Sequence, residues 1–400
     1  MAVEWVTPMW APSLVSYGTA SGALARVAKG SAQIYSCQEP SCGGPYTSGH
    51  LHRAVLGESE GGLQPGVRYF YRCGGGEHGD VFSFVMPHRR LQARPTVIAI
   101  LGDPGQTEQS EHTFSHIRAA DPLVTVLAGD LSYADCHQPR WDSYGRLAEP
   151  LAARVPVMSV AGNHEEEPPW ACGLSMNASF AAYNARYRNP SAASGSSSNM
   201  FYSFESAGVH FLMLASYADF SEASDQLAWL RRDLAKVDRG ATPWLVAMVH
   251  APWYNSNYAH ARDPEGYKMK AAMERLLRDA KLDAMFAGHV HAYERIHRVF
   301  DDELDPCAPA YFNIGAGGNR EGISGWYDPN PREWSAVRDG NYGHALLTVH
   351  NATHAHFTWH RNREEETTVF DEVWLTKDPK CWPATDSSMV LDGDWLFNLV

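Results

Sequence analysis

The chain has 400 residues, 44% of them hydrophobic and 20% charged, so it can bury a large core and is not compositionally disordered. Its formal charge of −13 opposes nucleic acid and anionic membranes as partners, and neither is expected. No run approaches the roughly 18 consecutive apolar residues of a membrane span, and the length predicts two domains or more.

The opening Met1-Ala2-Val3-Glu4-Trp5 lacks the basic start and apolar run of a signal peptide. Residues 4–7 read as a strand already under way, so the start is expected to be trimmed or truncated. Strands are predicted at 14–19, 32–37, 50–56, 67–72 and 81–85, broken by Gly43-Gly44-Pro45, Gly61-Gly62 and Gly74-Gly75-Gly76. That spacing, with no useful helical period, predicts an all-β sandwich of fibronectin type III/Ig-like kind over residues 1–88. The basic, proline-bounded stretch 87–95 reads as a linker.

Beyond it, apolar strands alternate with helices, predicting an α/β domain over 95–380 and a tail over 381–400. Strands are expected at 96–101, 123–128, 155–160, 209–215, 245–249 and 284–287, and again at 310–314, 344–349 and 354–359. Leu227, Leu230, Leu234 and Val237 recur at helical spacing and predict a helix over 222–238. Met269, Met273, Leu276 and Leu277 predict another over 268–281. Both stripes read as core faces. The Ser/Gly-rich stretch 191–199 reads as a flexible loop.

Five segments carry the chemistry: Gly102-Asp103-Pro104-Gly105, Gly129-Asp130-Leu131-Ser132-Tyr133, Gly162-Asn163-His164-Glu165, Val249-His250 and Gly288-His289-Val290-His291. Any one alone is an ordinary turn. Each, however, follows an apolar strand, and loops at the carboxyl ends of strands are where open α/β folds hold ligands. Glycine lets the backbone turn sharply there. Asp103, Asp130 and Tyr133 are hard oxygen donors suited to a trivalent ion such as Fe(III). Asn163, His250 and His289 are neutral and suit Zn, Fe(II) or Mn, while Asp130 can offer one oxygen to each metal. His291 lies two residues after His289, so a modest bend sends the two to different metals.

Seven cysteines, at 37, 42, 73, 136, 172, 307 and 381, show no short-spacing zinc pattern. Their scatter suits disulfides in a secreted or vacuolar protein, with at least one thiol left over. Buried free thiols in a cytosolic protein are the competing reading. The sequons Asn177-Ala178-Ser179 and Asn351-Ala352-Thr353 lean toward secretion.

In these residues the chain resembles the purple acid phosphatases, within the calcineurin-like metallophosphoesterases. The likeness covers nearly the whole length. It includes the sandwich, Gly129-Asp130-Leu131-Ser132-Tyr133-Ala134-Asp135, Trp141-Asp142, His250-Ala251-Pro252-Trp253-Tyr254 and Gly288-His289-Val290-His291-Ala292-Tyr293-Glu294-Arg295. It implies a metallophosphoesterase sandwich, two mixed β-sheets flanked by helices, behind the all-β domain. It implies that Asp103, Asp130, Tyr133 and His291 hold Fe(III), and that Asp130, Asn163, His250 and His289 hold the divalent ion, Zn, Fe or Mn. Protein Ser/Thr phosphatases share the fold but carry a histidine where this chain has Pro104-Gly105, and lack the tyrosine ligand. Gly162-Asn163-His164-Glu165-Glu166-Glu167-Pro168, Leu304-Asp305-Pro306-Cys307, Gly317-Gly318-Asn319-Arg320-Glu321 and Thr358-Trp359-His360-Arg361-Asn362 place it nearest the plant-type group that includes phytases. Short loops before Trp141 and after Trp326 depart from that group and put phytate hydrolysis in doubt.

The resemblance implies hydrolysis of phosphate monoesters by a metal-generated hydroxide attacking phosphorus in line. It assigns substrate binding to His164, and a second catalytic histidine to His260, ten residues after His250. For His260 a surface loop residue is the plain alternative. Glu165 is expected behind the ligands. Arg186, Arg320 and Arg361 are each read as solvated rather than substrate-binding, and His112, His116, His354 and His356 show no ligand context. Trp253 and Tyr254 wall the pocket or belong to the core. Resemblance and position pair Cys307 with Cys381; Cys136 and Cys172 are a candidate pair, as are two of Cys37, Cys42 and Cys73. A phosphodiesterase or nucleotide pyrophosphatase on the same site, and an inactive binding protein, are the competing functions. The sequence leaves monomer and homodimer open.

Overall fold

The computed structural model describes all residues except 39, 59–61, 77–78, 173–178, 364–365 and 383–400. The sequon at Asn177 and the tail beyond Trp382 therefore lie outside the described residues.

The N-terminal six-stranded sheet runs in the order Ala2–Thr7, His50–Val55, Arg26–Gln33, Leu14–Gly18, Arg68–Cys73 and Phe82–Val85, all antiparallel. The strand Arg26–Gln33, of which the sequence reading caught only the end, pairs with Leu14–Gly18 through residues 26–29 and with His50–Val55 through residues 30–33. Gly30 sits at that change of partner, where a Cβ would lie 2.0 Å from the Arg53 carbonyl oxygen. Val3, Val15, Tyr17, Ala54, Tyr69 and Phe84 fill the core this sheet encloses.

Two further sheets stack face to face. One runs Val157–Ser159, Val124–Leu127, Thr96–Leu101, Gly343–Val349, His354–Arg363 and Glu366–Thr376; the other runs Tyr202–Ser206, Val209–Met213, Trp244–Val249, Ala284–Ala287, Ala310–Ile314, Tyr293–Ile296 and Ser335–Asp339. Both are mixed, and within each sheet the strands that lead into the five segments run parallel to one another. Their facing sides, including Ile98, Val126, Phe211, Val246, Phe286, Phe312 and Phe357, form one apolar layer. These strands are buried on both faces, which is why they read as continuous apolar runs rather than alternating ones.

The predicted helices occupy Asp225–Leu234 and Pro264–Asp279. Two long helices were not expected, Glu108–Ala119 and Pro139–Ala152, nor were the short ones Pro169–Cys172 and Ala181–Arg186. The first buries Ser110, Thr113 and His116 beside only Phe114 and Ile117, so its apolar period is weak. Its start is marked instead by a capping box between Thr107 and Ser110. The stretch 191–199 is not a free loop. It opens with the 3-10 turn Ser191–Ser194, and the Asn199 side chain ties its end to Asn184, Tyr187 and Asn189.

The segment read as a linker is also fastened. The carbonyls of His88 and Arg89 accept hydrogen bonds from the backbone N–H groups of Ala207 and Gly208. Arg186 is buried where the N-terminal sheet meets the α/β part, donating to Tyr35, Tyr46 and Asp142. It is therefore a structural residue, neither solvated nor aimed at substrate. Arg361 grips Asp339 with two bonds of 2.8 and 2.7 Å and is likewise occupied. Tyr254 is buried, donates to Glu274 and packs on Tyr311 and Trp334, so it belongs to the core.

Three disulfides form: Cys37–Cys42, Cys136–Cys172 and Cys307–Cys381. Cys73 is free, and burial together with Glu149 pushes its thiol up to about 12. Unfolded without reductant, the protein should therefore react with a thiol reagent once per chain, at Cys73, and react slowly while folded. Three or more reactive thiols before reduction would contradict this pairing.

Candidate metal centre

Each of the five segments leaves the carboxyl end of a strand and turns into one crevice. Asp103 follows Thr96–Leu101, Asp130 follows Val124–Leu127, Asn163 follows Val157–Ser159, His250 follows Trp244–Val249 and His289 follows Ala284–Ala287. The turns are steep. Asp103, Asp130, Tyr133 and His289 have φ of 52°, 53°, 49° and 68°, in the left-handed region that costs side chains about 1 kcal/mol or more. Such backbone persists only where packing over-determines it.

Two glycines make the turns possible. Gly129 has φ of 91°, and a Cβ there would lie 2.5 Å from His250 Nδ1. At Gly162 a Cβ would lie 2.0 Å from Asp130 Oδ1, so the backbone must pass bare beside that carboxylate. Glu165 locks the arrangement. Its fully buried carboxylate accepts from the N–H groups of Asp130, Leu131 and Gly162, each at 2.8 Å. Two ligand loops thus share one anchor, as expected for a group behind the ligands.

The seven expected ligands gather in two adjoining sets. In the first, the Tyr133 hydroxyl lies 3.3 Å from Asp103 Oδ1 and 3.0 Å from His291 Nε2. Both Asp103 oxygens also accept from the His289 N–H, at 3.0 and 2.9 Å. In the second, His250 Nε2 lies 3.1 Å from Asp130 Oδ2 and 3.1 Å from Asn163 Oδ1. Ligand atoms of Asp130, His250 and His289 all fall within 4.8 Å of one another. Asp103, Asp130, Tyr133 and His250 are at most 1% exposed.

The donor chemistry fits cations. His250 Nδ1 sits 2.7 Å from the Ala128 carbonyl oxygen, which can only accept, so Nδ1 carries the hydrogen. Nε2 then faces two oxygens. Burial lowers the His250 pKa, but Asp130 and Asp103 outweigh it and lift it to about 9. The site thus favours positive charge at that point, as a proton on the ring or a metal beside it. Burial, with His250 and His260 nearby, pushes His289 down to about 3, leaving a neutral ring with a lone pair to give. Burial and the Asp103 and Asp130 carboxylates hold the Tyr133 phenol well above the usual tyrosine range. A phenolate forms there only against a strong cation.

His164 and His260 stand on the open side. His164 Nδ1 is 2.5 Å from Asp135 Oδ1, and its Nε2 is 3.9 Å from Asp130 Oδ2. Burial opposes its protonation, but Asp135 and Asp130 prevail and raise it to about 9. His260, exposed and with φ of 57°, lies 3.7 Å ring to ring from His289. Its Nδ1 bonds Asp263 at 2.7 Å, and the same carboxylate oxygen bonds His289 Nε2 at 2.9 Å.

Further residues surround these histidines. Arg320 donates to the Tyr133 carbonyl and pairs with Asp135, bracing the tyrosine loop rather than standing free in solvent. Tyr217 reaches Asn163 Oδ1 at 3.4 Å. Asp263 comes from a loop with no local pattern to mark it. Asp135, Arg320 and Glu321 lie inside motifs that carry the resemblance, but nothing in those motifs marked Asp135 or Glu321 as neighbours of the histidines.

A two-layered sheet core with these loops at one edge defines a calcineurin-like phosphoesterase, and the model of that family matches residues 96–293. The purple acid phosphatase N-terminal domain matches residues 1–86, and the iron/zinc purple acid phosphatase-like protein C domain matches 308–372. Probable purple acid phosphatase 20 of Arabidopsis thaliana is 46% identical over 377 residues, spanning 94% of this chain and 84% of that protein. The phosphoenolpyruvate phosphatase of Allium cepa is 36% identical over 387 residues, spanning 93% and 78%. The structure of a purple acid phosphatase from yellow lupin seeds superposes with a TM-score of 0.80 at 21% identity, spanning 96% and 73%, and shares the fold. The chain belongs to the purple acid phosphatases, a family built on a dinuclear metal centre.

Glu165→Gln keeps one acceptor oxygen and turns an amide NH2 toward backbone donors. Metal affinity should fall by about 10- to 100-fold, read by chelator competition. An unchanged affinity would show that the Glu165 clamp does not set the ligand loops.

Proposed function

We propose that this acid phosphatase hydrolyses phosphate monoesters at a centre of Fe(III) and a divalent ion, Zn, Fe or Mn. The observation that carries the reading is the meeting of two donor sets of different hardness on either side of Asp130. Asp103, Asp130, Tyr133 and His291 would hold the trivalent ion; Asp130, Asn163, His250 and His289 would hold the other. When bound, the pair supplies acidified water and neutralises charge on the phosphoryl oxygens.

The chain's own residues do the rest. His164, oriented by Asp135, presents Nε2–H to a phosphoryl oxygen and steadies the anion. His260, oriented by Asp263, carries a proton at Nε2 that can pass to the leaving oxygen as the ester bond breaks. Asp263 also orients His289, so one carboxylate aligns a ligand and a proton donor. The burial of Asp103, Asp130 and His250 excludes bulk water behind the reacting phosphorus.

Residues 95–380 are proposed as the catalytic domain, with residues 1–88 bracing it through Arg186. Three disulfides fit an oxidising compartment, secreted or vacuolar. Asn351, exposed at the turn between two strands, is placed as a glycosylation acceptor should be.

Rates on matched substrates test the reaction class: the monoester should turn over faster than the diester, and the reverse order would make the protein a phosphodiesterase. Within monoesters, His260→Ala should slow an alkyl ester about 100-fold or more and a nitrophenyl ester much less. Equal losses on both would remove His260 as leaving-group acid.

A further inference from the structure

We propose that the cleft beside His260 and His291 is a subsite for the alcohol half of the ester, shaped for a flat aromatic group without further negative charge. This rests on the phosphomonoester reading above and narrows its substrate class. The cleft holds about 290 Å³, and Ala259, His260, His291, Glu321, Ile323 and Trp326 line it. An ester with its phosphorus at the metal centre and its leaving oxygen at His260 must extend its alcohol into this space.

Two features of the wall choose among alcohols. The first is Trp326, whose side chain is 77% exposed although its backbone is firmly held. Its carbonyl accepts from Tyr258 N–H at 2.7 Å, and the next residue, Tyr327, bridges Asn257. Ser324 N–H donates to the His291 carbonyl at 2.9 Å, and Asn257 Nδ2 donates to the Ser324 carbonyl at 2.7 Å. The indole is thus presented by a loop stitched to both histidine segments, and stacking on it costs a ligand little ordering of the protein.

The second feature is charge. Glu321 points its carboxylate into the cleft, 3.5 Å from His164 Nε2 and 4.0 Å from His291 Nε2. No Lys or Arg is among the described residues lining the cleft, and the adjacent Arg320 is engaged by Tyr133 and Asp135. A leaving group bearing more phosphates would meet the like charge of Glu321 and no Lys or Arg in the lining to draw it in. Aryl monoesters fit this wall; polyphosphorylated polyols do not.

The test combines binding with turnover. Calorimetric titration compares naphthylphosphonate with methylphosphonate, and kcat/KM compares naphthyl phosphate with inositol hexakisphosphate. Trp326→Ala should lower the aryl-to-methyl affinity ratio about three- to tenfold, and Trp326→Phe should restore most of it. Because the side chain is exposed, truncating it opens no core cavity. Glu321→Gln should raise kcat/KM for inositol hexakisphosphate relative to naphthyl phosphate by at least about threefold. Ratios unmoved by Trp326→Ala would overturn the subsite even if hydrolysis is rapid. The expected binding pattern in a protein that turns over no ester would keep the subsite and remove the hydrolytic reading alone.

Discussion

Buried carboxylates, a phenol and imidazole lone pairs crowd into one dry crevice here, and the surrounding architecture answers that crowding. Asp103 and Asp130 lie in an interior where an uncompensated charge costs several kcal/mol. Part of the compensation is built in: backbone N–H groups of His289 and His164 donate to the two carboxylates. The remainder must be positive charge in the space between the donors. Protons on His250 and His291 supply it in one state of the site, and metal cations in the other. Metal binding on this account displaces protons, so affinity rises with pH over the range in which those imidazoles are charged.

Holding such a site open against its own repulsion requires a stiff frame. Four of the expected ligand residues take left-handed backbone conformations, which the fold sustains by hydrogen bonds rather than by local preference. Glu165 ties the Asp130 loop to the Gly162 turn, Asn319 holds the Asp103 carbonyl, and Ser216 accepts the backbone N–H groups of His250 and Ala251. Toward solvent the character changes. His260, Glu321 and Trp326 sit on anchored yet exposed loops beside the half-buried His164, so the proposed ligand geometry is fixed while the mouth is free to select substrates.

Much of this was legible in the chain because the decisive signals are local. A buried parallel strand is a short apolar run, and the glycine-ligand pair after it is the next word in the sequence. That is why all seven expected ligands come together, and why the β-rich start and the α/β remainder read correctly. Relations between distant segments left no such mark. The helix Glu108–Ala119 buries hydroxyls against Gly317 and Gly318, so hydrophobic periodicity passed it over. Asp263 and Glu321 owe their importance to histidines contributed by other loops. The cysteines gave their oxidation state and two candidate pairs, but choosing Cys37 with Cys42 over Cys73 needed geometry, with the two Cα atoms 6.1 Å apart.

In the proposed centre Tyr133 completes a trivalent-ion site next to a divalent one. Its most direct test is the visible absorption spectrum of purified protein, with metal content, compared with Tyr133→Phe. About two metal ions per chain including iron are expected, with a charge-transfer band that disappears in the variant while both metals stay bound. A protein fully loaded with iron in its oxidised state, yet colourless and indistinguishable from the variant, would contradict it.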